Sequence, residues 1–159
     1  SKHDWKLQTL DLVRFPLAQC LDGSPAGFWF QKGYGSGKNK FFVFHQGGAW
    51  CESQEECVNR SSTHLGSSKS WKKEITCGRT LQDTCWIDEP NPGKPEKNPV
   101  TYNWNKVYVG YCDGSSFSGD VIAPQLVTLK NGSNHTLYYR GKFIRDALYE
   151  TLLTEYGMN

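Results

Sequence analysis

Residues 41–51 read FFVFHQGGAWC. Four of the first five are apolar, and the run stops abruptly at Gln46 and the pair Gly47-Gly48. Apolar side chains on both sides of a pleat need cover on both faces, which a strand finds in the interior of an α/β sheet. Glycines directly after such a strand leave no Cβ in the way, so backbone N–H groups can approach a ligand oxygen. On these residues alone, a simple tight turn explains the glycines as well as an anion-facing loop does.

Outward from this strand, Gly27 to Lys32 (GFWFQK) is a second β-rich run. The intervening GYGSGKN predicts that it and Lys40 to His45 form a β-hairpin. GYGSGKN is also similar to a phosphate-binding loop, but three residues separate Gly33 from Gly37 where four are required, and Asn39 stands in place of Ser or Thr. Ser53 to Arg60 predicts a short helix, with Ser53 as N-cap and Glu56 completing a capping box. Gly66 to Tyr102 is polar and proline-rich, a surface excursion whose residues at about 76–99 read as an insertion. Lys106 to Tyr111 (KVYVGY) is the next strand, followed by the loop CDGSSFSGD and by a short strand at Thr136 to Tyr139. Phe143, Ile144, Ala147, Leu148, Leu152, Leu153 and Tyr156 recur at three- and four-residue steps, predicting an amphipathic helix closed by Gly157. The α/β alternation then calls for another strand. Residues 1–159 therefore read as part of one domain, with the apolar face of the last helix and a sheet edge left to be covered.

Lys and Arg total 18 against 16 Asp and Glu, a balance of +2 that offers no footprint for nucleic acid. No apolar run approaches the ~20 residues of a membrane span, and Ser1 opens no signal pattern, so the expected molecule is soluble and processed. Six cysteines (20, 51, 57, 77, 85 and 112) accompany sequons at Asn59, Asn131 and Asn134, a combination that points to the secretory pathway and a secreted glycoprotein. Six cysteines allow about fifteen pairings. The preferred set is Cys51 with Cys57, Cys77 with Cys85, and Cys20 with Cys112, two short loops and one long clamp. A metal site is not expected: there is no Cys-x-x-Cys, and His3, His45, His64 and His135 stand at no ligand spacing.

Four blocks in order, CLDGSPAGFWF, HQGGAWC, QEECVNRSSTHLGSSKSW and YNWNKVYVGYCDGSSFSGD, resemble those of the pectin acetylesterase family, to which the Notum carboxylesterases belong. The resemblance spans roughly residues 8 to 157 and weakens in the proline-rich stretch. It implies the N-terminal portion of an α/β-hydrolase fold, a mixed sheet with flanking helices, and ester hydrolysis by a Ser-His-Asp triad without metal or other cofactor. It also implies Gly48 and Ala49 as oxyanion-hole donors, Gly47 as their hinge, and Trp50 beside the acyl pocket. Asp113, Gly114, Ser115 and Ser116 would lie at the cleft rim, with Asp113, Ser115 and Ser116 near substrate. Ala49 departs from the glycine or tryptophan of relatives.

The family's nucleophile elbow, Gly-x-Ser-x-Gly, has no counterpart in residues 1–159: Gly114-Ser115-Ser116-Phe117-Ser118 fails at its last position. An enzyme built from this chain therefore needs a C-terminal portion, either as a second chain of the same precursor or as further sequence, acting on an acylated polysaccharide or another ester. The competing class is a non-catalytic, esterase-like component that binds glycan or has a structural role outside the cell. A local arrangement of Ser116 with His45 as base and Asp120 as orienter is a minor alternative.

Overall fold

The computed structural model describes residues 5–75 and 98–159. Among them the strands in chain order are β1 (Trp5–Thr9), β2 (Gly27–Gln31), β3 (Phe41–His45), β4 (Glu74–Ile75), β5 (Asn105–Val109), β6 (Gln125–Thr128) and β7 (Asn134–Leu137). The helices are α1 (Gln54–Ser61) and α2 (Gly141–Glu155). The first five strands make a mixed sheet in the order β3-β5-β2-β1-β4, and β6 pairs with β7 in a separate hairpin.

Alternation along the strands sorts the side chains into two layers. Phe28, Val107 and Val109, with Phe30, Phe41 and Val43, pack with Ile144, Ala147, Leu148 and Leu152 of α2. Trp29 and Tyr108, with Phe42 and Phe44, meet Trp5 and Ile75 on the opposite face. This two-sided burial explains the nearly unbroken apolar runs. The helical spacing of 144, 147, 148 and 152 is the stripe that fits one side of the sheet. That stripe is buried against the chain's own sheet, so the helix face expected to await cover is already closed; Leu153 lies off it and is exposed.

The expected hairpin does not form. β5 lies between its two arms, antiparallel to β2 (Phe28 opposite Val109) and parallel to β3 (Val43 opposite Val107). The glycines of the connection serve close packing instead. A Cβ on Gly37 would lie 2.3 Å from the Asn103 carbonyl oxygen, and one on Gly33 2.5 Å from the Asn105 nitrogen. Asn105 binds the connection with its side chain, accepting from Gly33 N–H and donating to the carbonyls of Lys38 and Lys40. The strand buried along its whole length is β5; β3, expected in the interior, is half-buried and pairs on one side among the described residues.

Both helix ends follow their local chemistry. Ser53 Oγ accepts from Glu56 N–H at 3.2 Å, and the Glu56 carboxylate reaches back to Glu52 N–H at 2.7 Å, closing the N-terminus of α1. Gly157 follows α2 at φ +74°, the left-handed turn that favours glycine. The strand expected at 136–139 sits at 134–137; β1 and β6 have no counterpart in the sequence reading, and β4, paired with β1, lies in the 66–102 stretch read as a surface excursion with no place for a strand. Disulfides join Cys20 to Cys112 and Cys51 to Cys57. Cys77, Cys85 and nearly all of the proline-rich insertion lie outside the described residues. Among those described, no helix is long and apolar enough to cross a membrane.

Candidate active site

Because β3 and β5 run parallel, their C-terminal ends lie side by side, and two loops leave the sheet together there. Gln46 fastens the start of both: its N–H donates to the Val109 carbonyl, and its side-chain oxygen accepts from Tyr111 N–H. From that point residues 47–50 run along the surface, opposite residues 113–119. The described non-glycine residues with positive φ are Ala49 (58°), Ser116 (50°) and Phe117 (61°), all in these two loops. Strain of this kind persists only where the surroundings over-determine it.

Here the surroundings are specific. Cys51 N–H donates to the Gly114 carbonyl, and the Trp50 indole N–H donates to Ser116 Oγ. Tyr111 Oη donates to the Ala49 carbonyl at 2.7 Å and accepts from Ser116 N–H at 3.0 Å. From α1, Arg60 Nη2 donates to the carbonyls of Gly48 at 2.8 Å and Ala49 at 2.9 Å, while its Nε donates to that of Leu65. Its guanidinium lies 5.0 Å from the centre of the Tyr111 ring.

Those carbonyl contacts fix the opposite ends of the same peptide groups. In a trans peptide C=O and N–H point in opposite directions. With Gly48 and Ala49 oxygens both drawn to Arg60, the N–H groups of Ala49 and Trp50 project the other way. Residues 47–50 are exposed, and the N–H groups of Gly48, Ala49 and Trp50 have no acceptor among the described residues. The result is an outward-facing set of backbone donors on a pinned loop, a geometry suited to a small anion or to an oxygen that gains charge.

Trp50 and Ser116, both expected near substrate, are thus brought together at the surface. Ser115 is half-buried, its hydroxyl donating to Asp113 Oδ2 and accepting from Gly119 N–H. Asp113, expected at the rim, is fully buried. Its Oδ2 accepts from Ser115 Oγ–H and from the N–H groups of Ser115 and Phe117, so this carboxylate shapes the strained turn from inside. Gly141 at the start of α2 makes room for it: a Cβ there would lie 2.1 Å from Oδ2.

Burial pushes the Asp113 carboxyl above its ordinary value of 3.8, against the pull of those hydrogen bonds. An acid raised in the folded state contributes stability that is fully present below the ordinary value and is lost as pH rises through the folded value. Asp113→Asn keeps one oxygen for the same three donors, so it is expected to flatten this decline. Denaturant unfolding from pH 3 to 8 measures it, and parallel profiles for the variant and the parent would contradict the assignment.

His45 does not complete a local triad. Its ring packs edge-on against Phe117 at 5.0 Å and lies 6.0 Å from Tyr149, while Asp120 pairs with Lys142. Burial and then the Arg145 charge lower its pKa, favouring the neutral ring. Arg60 and Tyr111 are the residues that sequence reasoning missed. The signal was present: Cys57 faces the loop through its bond to Cys51, and Arg60, three residues on, shares that face of α1.

Comparison with known proteins finds relatives of the whole chain. A sequence family described as Pectinacetylesterase matches residues 1–159. Pectin acetylesterase 11 of Arabidopsis thaliana is 39% identical over 142 residues, covering 89% of this chain and 32% of the relative. The human palmitoleoyl-protein carboxylesterase NOTUM is 33% identical over 112 residues, covering 69% of this chain and 20% of that protein. Among solved structures, the Wnt deacylase Notum from Drosophila superposes with a TM-score of 0.70 at 26% identity, over 94% of this chain and 38% of that one. The chain thus spans about a third of the length of the pectin acetylesterases it matches, and its architecture is that of part of an α/β-hydrolase fold.

Proposed function

The chain belongs to the pectinacetylesterase family, and from that membership we propose that residues 1–159 form the oxyanion-stabilising part of a carboxylic-ester hydrolase. Gly48 and Ala49 act as backbone donors, and the nucleophile, histidine and acid come from polypeptide outside these residues. The observation that carries this reading is the pinned loop: the carbonyls of residues 48 and 49 are tied back to Arg60, which leaves the Ala49 N–H facing outward with that of Trp50 alongside. Preorganised donors aimed at developing charge are usually the largest single contribution to acyl-transfer catalysis. Trp50, largely exposed and held by Ser116, forms a wall where an acyl group or sugar ring packs.

The substrate class is an acylated polysaccharide such as acetylated pectin, or another ester presented at the cell exterior. Acetate release from acetylated pectin, and hydrolysis of an aryl acetate, by the full-length protein carrying this chain test the reading. Absence of both activities in a folded preparation would sink it and favour a glycan-binding component instead.

A secretory location goes with this function. Among the described residues all four cysteines are paired, Cys20 with Cys112 and Cys51 with Cys57, and Asn59, Asn131 and Asn134 are all exposed. Treatment with a peptide N-glycosidase is expected to lower the mass of native material and convert Asn59 to Asp. An unchanged mass, together with several thiols alkylated under denaturing conditions, would remove the secretory assignment.

A further inference from the structure

We infer that Arg60 and Tyr111 are positioning residues for catalysis: together they set the aim of the Ala49 N–H, and of the Trp50 N–H beside it, by holding the Gly48 and Ala49 carbonyls at the other ends of those two peptide groups. The inference rests on the esterase reading above and deepens it.

Ala49 occupies φ +58°, a left-handed conformation that disfavours an alanine. Left to itself the loop would relax towards negative φ, rotating the peptide groups on either side and dispersing their N–H directions. Two donors oppose this at one oxygen. Arg60 Nη2 and Tyr111 Oη both donate to the Ala49 carbonyl, and the same Nη2 holds the Gly48 carbonyl. Arg60 is itself braced by its Nε bond to Leu65 and by stacking over the Tyr111 ring. Tyr111 is buried and is also the partner of Ser116 N–H, so one hydroxyl locks both strained loops.

There is an electronic consequence as well. A charge-assisted bond to a peptide oxygen draws electron density towards that end and makes the N–H at the other end a better donor. Arg60 therefore strengthens the Ala49 and Trp50 donors without touching substrate. Lysine cannot reproduce this, because a single ammonium lacks the fork that reaches Leu65 and the two loop carbonyls together.

The test uses the full-length protein, a matched pair of substrates and three variants. The substrates are an aryl acetate and the corresponding thionoacetate, whose C=S sulfur is a poor hydrogen-bond acceptor and gains little from an aimed donor. With Arg60→Gln, kcat on the oxygen ester is expected to fall by about 100-fold, the scale of a loss of alignment at a reacting centre, with KM changed by about twofold or less. Arg60→Lys and Tyr111→Phe, which preserve bulk and folding better, should each lose roughly 10-fold. On the thionoester all three should lose roughly threefold or less, so that the preference for oxygen over sulfur shrinks. A purely structural role lowers both substrates in proportion, and that result, or wild-type rates in folded variants, overturns the inference. A parent protein that hydrolyses neither ester instead removes the esterase reading, and this inference with it.

Discussion

Replacing Gly48 by valine is expected to lower kcat for ester hydrolysis by about 100-fold or more while the protein still folds. One misaligned oxyanion donor costs about 3 kcal/mol in the transition state, which is that factor in rate. Gly48 has φ +149°, where an L side chain is strained, and a Cβ there would meet Leu65 at 3.0 Å and Tyr111 at 3.4 Å. A β-branched side chain must push against both and turn the peptide groups next to it. Because residues 47–50 are exposed, the damage stays local. Ala49→Pro is harsher than sequence alone suggests. It deletes the N–H, and its ring fixes φ near −65° where the loop needs +58°. Ala49→Gly keeps the donor and relieves the strain, so it separates loss of the N–H from any effect of changing the side chain. Rates on an aryl acetate for the three variants and the parent decide the matter. Equal rates from equally folded Gly48→Val and parent would mean that the loop is only a turn.

The parts of this site that sequence revealed are those written in local spacing. The capping box at Ser53 and Glu56, the helical stripe from Ile144 to Leu152 and the strand ahead of Tyr111 each follow from a period that neighbouring residues set by themselves. What escaped depends on which strand sits beside which. GYGSGKN has the composition of a hairpin turn, yet its glycines answer to Asn103 and Asn105, some 70 residues away, and nothing local announces that. β1 escaped for a related reason: in WKLQT only Trp5 and Leu7 meet the core, and five residues are too few to establish an alternation. Asp113 looked like a surface acid in a polar loop. Only the packing of Gly141 on Phe117 and Asp113 shows it to be inside. Arg60 reads as an ordinary charge on a short helix until the disulfide from Cys57 turns that helix face towards the loop.

The two described disulfides are expected to fail differently when removed. Cys20 and Cys112 are both fully buried and stand 92 residues apart in sequence. A cross-link over that separation removes about 4.6 kcal/mol of chain entropy from the unfolded state, against about 2.2 kcal/mol for the six-residue separation of Cys51 and Cys57. Net stabilities are about 5–15 kcal/mol, so Cys20→Ala with Cys112→Ala consumes a large share of the total. Denaturant unfolding should register it as the larger loss. Ester hydrolysis should rank the pairs the other way. Cys51 ends the loop proposed to carry the oxyanion donors and Cys57 lies on α1 one turn before Arg60, so this short bond ties residues 47–50 to the helix that carries Arg60. Its removal, as Cys51→Ala with Cys57→Ala, is expected to lower kcat by roughly 10-fold or more in protein that remains folded, through freer motion of the donors. Under native conditions the long-range pair, once folded, should retain most of its rate, because the sheet and α2 still hold Tyr111 in place. If the short pair proved the costlier to stability and the long pair the costlier to kcat, the loop would not be held in the way its geometry indicates.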